Sequence, residues 1–161
     1  MNIFMLDENS SKCAKYHYDK HVVKMILEYG QLLSTSLRLT NGKPSSYNAK
    51  FLLLEGESLM LDYDNKPYIV GKKAYNSTHI NHPCNLWVRE SLDNWIWLKE
   101  LYEELHKEWK FRYNHPLEHN HASYNLIHNL EIPNLPSKGI TNFKGCFNEG
   151  YDKFTSTVEK I

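Results

Sequence analysis

Long apolar runs are missing from this chain, and no stretch approaches the ~18 residues that a membrane-spanning helix needs. The start, "MNIFMLDENSS", has neither a basic head nor a sustained apolar stretch, so no secretory leader is expected there. Cysteine is scarce: Cys13, Cys84 and Cys146 are odd in number, far apart, and form no CxxC. That argues against a disulfide framework and points to reduced thiols packed in the core of a cytoplasmic protein, in the infected host cell if the chain is phage-encoded. Net charge is missing too, since 19 Lys and Arg balance 19 Asp and Glu. Duplex-DNA binders usually carry a basic footprint, because phosphate neutralisation supplies much of their affinity. The balance therefore counts against strong non-specific DNA binding and leaves only a local basic patch open. GxGxxG, Walker A and GxSxG sequences are all absent, and no cofactor is expected. Repeats, low-complexity tracts and linkers are lacking as well, so residues 1–161 are expected to form a single domain.

What is present is helical periodicity. After a cap at Asn9, Ser10 or Ser11, the positions Ala14, Tyr18, Val22, Met25, Tyr29, Leu32, Leu33 and Ser36 keep a 3.6-residue period that predicts a helix over about 10–39. A second predicted helix covers about 83–113, with Pro83 in its first turn behind Asn81 or His82, and with Trp87, Trp95, Leu98, Tyr102, Leu105 and Trp109 along one stripe. Between them, residues 40–80 are irregular or hairpin. There "SLMLDY" and "PYIVGKKAY" flank "DNK" as a small hairpin, while "FLLLEGES" reads as helix turn or strand. Residues 114–161 are loop-rich: a His-rich linker, a short helix in "ASYNLIHNL", the loop "EIPNLPSKGITNF" and a weak last helix in "CFNEGYDKFTSTVEKI". The expected fold is mainly α, a compact single-domain helical bundle with two long helices and room for a small β-hairpin insertion.

The first helix carries an unusual strip. At about 100° per residue, Tyr18, Val22, Met25, Tyr29 and Leu32 share one face, and Val23, Ile26, Leu27 and Gly30 cover its flank. What remains is a narrow polar line of His17, His21, Lys24, Glu28, Gln31, Thr35 and Arg38. A helix apolar over most of its girth is usually wrapped by other elements, so the strip either meets water as solvated ion pairs or lines a cleft. A carboxylate with an imidazole nearby, in a half-apolar cleft, suits proton transfer. Elsewhere His79 and His82 form an HxxH, and "HPLEHNH" offers His115, Glu118, His119 and His121. A zinc site needs more converging ligands than either spacing guarantees, and no metal is expected. His82 is better read as a helix cap, the later histidines as loop residues, and the tryptophans as core.

The stretch Asp19-Lys20-His21, with Glu28 seven residues after the histidine, resembles the phage pyrimidine-dimer DNA glycosylases of the endonuclease V type. "WLKELYEELHKEWKFRY" is similar to their later helix ending in an acidic residue and an arginine. Small phage-encoded proteins share "DKHVVKMILE", "HINHPCNLW" and "EWKFRY" in the same order. The likeness covers about residues 1–40 and 75–115. It implies a compact helical protein that excises an altered pyrimidine. A neutral amine attacks the sugar C1′, the base leaves, an iminium forms, and β-elimination can follow. By this resemblance Glu28 is the catalytic carboxylate. The nucleophile is the α-amine of Asn2, exposed only when Met1 is removed, and His21 lies near the DNA. Substrate contacts are then expected from His17, Lys24 and Gln31 on the strip, and from His82, Trp87 and Arg89 at the second helix. The expected partner is DNA or a small nucleotide, with no membrane. A competing reading is a nucleotide-binding protein that sequesters or cleaves a small nucleotide signal, cyclic ones included, without acting on DNA. A third is a non-catalytic interaction domain.

Overall fold

In the computed structural model, which describes residues 2–46 and 51–143, the elements follow from where the two long periodic stretches break. The helix expected over 10–39 is two helices, α1 (Ser10–Lys15) and α2 (Asp19–Asn41). Asn9 caps α1 by accepting from the Lys12 N–H. The break at 16–18 is held by Arg112, whose guanidinium donates to the carbonyls of Lys15 at 2.8 Å and His17 at 2.5 Å. It thereby satisfies carbonyls that the end of α1 leaves without helical partners. Tyr18 therefore does not lie on a core face. It is the residue before α2, with extended backbone and an exposed side chain.

The helix expected over 83–113 is likewise two, α3 (Pro83–Val88) and α4 (Leu92–Arg112). His82 caps α3, and Pro83 occupies its first turn. Ser91 starts α4 by accepting from the N–H groups of Asp93 and Asn94. Asn94 reaches back to the Trp87 carbonyl at 2.8 Å, which closes the end of α3. The loop 133–143 is sewn to this break through Leu92, Asp93 and Asn94.

Between α2 and α3 lie two antiparallel pairs, β1 (Lys43–Pro44) with β2 (Leu52–Leu53), and β3 (Ser58–Leu61) with β4 (Pro67–Val70). The second pair is the hairpin predicted around "DNK", in the register Leu59↔Ile69 and Met60↔Tyr68. Its turn is set by the Asp62 carboxylate, which accepts from the N–H groups of Asp64 and Lys66, and by Asn65 at φ 59°, a conformation that asparagine tolerates. The last short helix is α5 (Ala122–Ile127), where the sequence predicted one. The weak helix expected in 146–161 lies outside the described residues.

The structure is thus mainly helical, with two small antiparallel β pairs. Helix α2 sits at its centre, packed on α3, α4 and α5, while α1 packs on α4. Met25, Ile26, Leu32 and Leu33 of α2 meet Trp95, Leu98, Leu101 and Leu105 of α4 in one apolar core. Helix α5 comes very close at Gly30, where a Cβ would stand 2.8 Å from Ser123 Oγ. His115 and His119 stack on the Trp109 ring at 4.0 and 5.7 Å, while His121 caps α5. Among the described residues no group of three or more His, Cys, Asp or Glu converges to hold a metal, and no helix is long and apolar enough to cross a membrane.

Arg38, expected on the polar strip, is fully buried instead, because β2 and the segment after β4 close over it. All five of its N–H donors are used. It forks onto Glu57 at 2.6 and 2.8 Å and donates to the carbonyls of Leu52, Ala74 and Tyr75. Glu57 accepts in addition from the N–H groups of Leu54 and Lys73. Burial alone would raise the Glu57 carboxyl, but the guanidinium and the two amides hold it below its ordinary value. Glu57→Gln leaves the guanidinium buried without its counter-charge and is expected to cost about 3–5 kcal/mol of unfolding free energy, read from urea midpoints. A loss below about 1 kcal/mol, the range of an exposed pair, would show that this clamp does not hold the β pairs to α2.

Candidate functional site

Residues 2–6 form an irregular segment without a strand neighbour, turned at Met5 where the Leu6 N–H donates to the Phe4 carbonyl at 3.1 Å. Ile3 and Met5 are buried, while Asn2, Phe4 and Leu6 are half-exposed, so one side of the segment faces the core and the other faces α2 and solvent. Side chains do for its backbone what a sheet would otherwise do. The Phe4 N–H donates to Tyr29 Oη at 3.0 Å, the Cys13 thiol donates to the Phe4 carbonyl at 3.1 Å, and the Leu6 N–H reaches Cys13 Sγ at 3.4 Å. Burial pushes the Cys13 thiol up to about 11, which keeps its proton available to donate.

The direction of the next bonds follows from donor chemistry. A carbonyl only accepts, so His17 Nδ1, 2.7 Å from the Cys13 carbonyl, carries the proton. His17 Nε2 then accepts from Tyr29 Oη at 2.8 Å, and the same oxygen accepts from Phe4. His17 is buried, and burial lowers its imidazole to about 4, so it is neutral at pH 7. Burial likewise carries the Tyr29 hydroxyl well above its ordinary value.

On the outer side of this tether lies the remaining polar strip. His21, Glu28 and Gln31 are half-buried and Lys24 is exposed. At about 100° per residue, His21, Lys24, Glu28, Gln31 and Thr35 fall within roughly an 80° arc. One end of the strip is covered by Phe4, whose ring stacks on His21 at 4.4 Å and 8°. At the other end Thr35 accepts from the Thr78 N–H at 3.1 Å and anchors the loop 77–82. Glu28 is seven residues from each anchor, roughly 10 Å along the axis either way. The result is a polar strip on α2 with the N-terminal segment packed at one end, a histidine-bearing loop anchored at the other, and a carboxylate midway.

That loop is braced from below. Asn85 donates to the carbonyls of Thr78 and His79 at 2.9 and 2.7 Å, and Arg89 donates to the Ile80 carbonyl at 2.6 Å. His79 adopts φ 49°, an uncommon conformation for its type, and the two Asn85 bonds hold it there. His82 accepts from the Cys84 N–H and is lowered below its ordinary value, chiefly by burial, with the charge of His79 adding a smaller part.

Of the site residues expected from sequence, the structure brings His21, Lys24, Glu28 and Gln31 together on one face, with Asn2 on Phe4's side of the N-terminal segment. His82 and Arg89 belong to the loop and its brace. His17 and Trp87 stand elsewhere. His17 is a buried strut behind the strip, and Trp87 is a core residue whose indole donates to the Thr141 carbonyl at 3.1 Å. The flank expected to be covered is partly open, with Val23 and Leu27 about 40% exposed, while Thr35 and Arg38 at the strip's far end are buried. Residues that sequence reasoning missed are Phe4, Thr78 and Asn85, along with the anchoring role of Thr35 and the role of the Tyr29 hydroxyl. The one available signal was a tyrosine inside an apolar stripe, since a buried phenol needs a hydrogen-bond partner.

The arrangement is that of a mainly helical protein whose N-terminal segment packs on the long helix that carries the polar strip. A family model described as pyrimidine dimer DNA glycosylase matches residues 1–121, and the chain belongs to that family. The match spans α1 to α4 and ends just before α5. No curated protein and no solved structure matches the chain.

The two buried imidazoles predict an acid sensitivity. His106, stacked on Tyr124 at 3.9 Å, is also lowered to about 4 by burial, so both imidazoles titrate near 4 when folded and near 6.5 when unfolded. Between those values the unfolded chain binds more protons, so stability rises with pH, is complete above about 6.5, and is lost as pH falls toward 4. Each histidine is expected to contribute a slope of about 1.4 kcal/mol per pH unit within that window. Urea titrations at several pH values should show the slope reduced by about one proton in His17→Gln and again in His106→Gln. Unchanged slopes would mean that these imidazoles are not held neutral.

Proposed function

We propose that the protein is a DNA N-glycosylase with associated lyase chemistry, acting on a damaged or modified pyrimidine nucleotide. The observation that carries this reading is the N-terminal segment tied by a hydrogen bond to α2, the helix that carries Glu28. Phe4 is fixed to Tyr29, the residue next to Glu28, and Asn2 is at most ~7 Å of extended chain from Phe4. Membership of the glycosylase family supports the same reaction class.

In this reading the α-amine of Asn2, exposed by removal of Met1, is the nucleophile. An α-amine has a pKa of about 7.7–8.0 against about 10.4 for lysine, so far more of it is neutral near pH 7. Its lone pair forms the bond to C1′. The glycosidic bond breaks with its electron pair passing to the base, which takes up a proton, and ring opening leaves an iminium. Glu28 stabilises the cationic sugar and carries protons between the sugar and the departing groups. Loss of a C2′ proton then expels the 3′ phosphate. The altered nucleotide must leave the duplex stack to reach this strip, and damaged bases unstack at the lowest cost. His21, held flat against Phe4, Gln31, and His82 on the loop line the strip for the nucleotide. Lys24 is placed for a phosphate, and Arg89 holds the loop in shape.

The absence of net charge favours one second reading, a site that binds a small nucleotide rather than duplex DNA. It predicts thermal stabilisation by free or cyclic nucleotides and none by duplex DNA.

Borohydride trapping separates the two. Wild-type protein whose first residue, checked by mass, is Asn2 should form a covalent adduct on DNA bearing pyrimidine dimers or modified pyrimidines. Glu28→Gln should lower the trapping rate by about 100-fold or more while leaving the thermal midpoint near that of wild type. A wild-type protein that forms no adduct across such a panel, or a Glu28→Gln variant that traps at full rate, would sink the glycosylase reading.

A further inference from the structure

A strand in a sheet is kept in register by a ladder of backbone bonds, but residues 2–6 have no ladder. Their position along α2 rests on side chains: the Phe4 ring stacks on His21, and Tyr29 supplies the hydrogen bond that fixes the Phe4 backbone to α2. Its single oxygen is fully committed, donating to His17 and accepting from Phe4. His17 is in turn fixed through Nδ1 to the Cys13 carbonyl, and Cys13 holds the Phe4 carbonyl. The loop of bonds is therefore closed: Phe4 to Tyr29, Tyr29 to His17, His17 to Cys13, and Cys13 back to Phe4. A slip of one residue would expose Ile3 and Met5 and bury Asn2 and Phe4, so the segment has one admissible register, and the Tyr29 hydroxyl marks it. Joining α1 to α2 needs only the His17–Tyr29 bond. The acceptance of Phe4's N–H by the same oxygen is an addition that acts on the N-terminal segment alone.

We propose that Tyr29 and His17 are positioning residues: through the Phe4 amide they set where the first residues of the chain stand against Glu28. The inference rests on the glycosylase reading for its catalytic meaning, because the group being positioned is the attacking amine. Neither side chain touches the reacting atoms. Their effect is on the geometry of attack, where a displacement of about 1 Å can cost about 100-fold in rate.

The test compares Tyr29→Phe with Tyr102→Phe. Both remove one buried hydroxyl, and that of Tyr102 bonds to Ser123 Oγ at 3.0 Å, away from the N-terminal segment. The α-amine is titrated by NMR in each background, with Glu28 present and with Glu28→Gln. Loss of a nearby negative charge should lower the amine's pKa in wild type and in Tyr102→Phe, and should leave it unmoved in Tyr29→Phe. In borohydride trapping, Tyr29→Phe should lose about 100-fold in kcat with KM unchanged, and Tyr102→Phe should lose neither. An amine that responds equally to Glu28 in Tyr29→Phe, or that ignores Glu28 in wild type, overturns the proposal. So does an equal loss of kcat in Tyr102→Phe. If the titrations behave as expected but wild type traps no DNA, the positioning role stands and the glycosylase reading falls.

Discussion

Helix α2 is enclosed over most of its surface, and any polar group it carries into that enclosure must find a partner there or destabilise the fold. Those demands organise the molecule. Arg38 has five donors and draws in Glu57 together with the backbone of Leu52, Ala74 and Tyr75, which gathers residues 52–76 against the end of the helix. Thr35 requires a partner and takes Thr78, which brings in the loop that leads to α3. Tyr29 requires two and takes His17 and Phe4, which brings in the end of α1 and the N-terminal segment. The apolar contacts between α2 and α4 supply most of the burial, but such contacts are non-directional. The hydrogen bonds decide which segment lies where.

The layout of the polar strip is a by-product of the same matching. Between the Phe4 contact on His21 and the Thr35 anchor, the strip carries Lys24, Glu28 and Gln31, of which Lys24 is exposed and the other two half-buried. A half-buried carboxylate therefore sits midway along a strip with imidazole-bearing segments at both ends. The N-terminal segment and the loop are tied to α2 by side chains and not by sheet ladders, so each can be adjusted by changing a single residue. The polar bonds that hold these segments are the same ones that stabilise the fold, so stability and site geometry are coupled at Tyr29, His17 and Asn85.

Much of this was legible beforehand. The 3.6-residue period located the long helices, "DNK" located the hairpin turn, and His82 with Pro83 located the start of α3. The spacing of His21 and Glu28 pointed to the family. The breaks at 16–18 and 89–91 were not legible, because both continue the helical period. They are enforced by Arg112 and Asn94, which reach in from other elements to satisfy carbonyls at helix ends. The period likewise placed His17 on the polar strip, whereas the break at 16–18 rotates it into the core behind Tyr29.

Local pattern, then, determined which residues are helical, which faces are apolar, and which carboxylate and imidazole share a line. Each of these depends on neighbours within a turn or two, and the chain carries that information in its spacing. Only the tertiary structure decided which polar side chains are struts and which are open to a ligand. His17 and His21 are four residues apart and identical in chemistry, yet one is sealed against a tyrosine and the other is half-exposed beneath the Phe4 ring. The difference is made by Phe4, Cys13 and Tyr29, whose convergence is a matter of packing between segments and leaves no trace in local spacing.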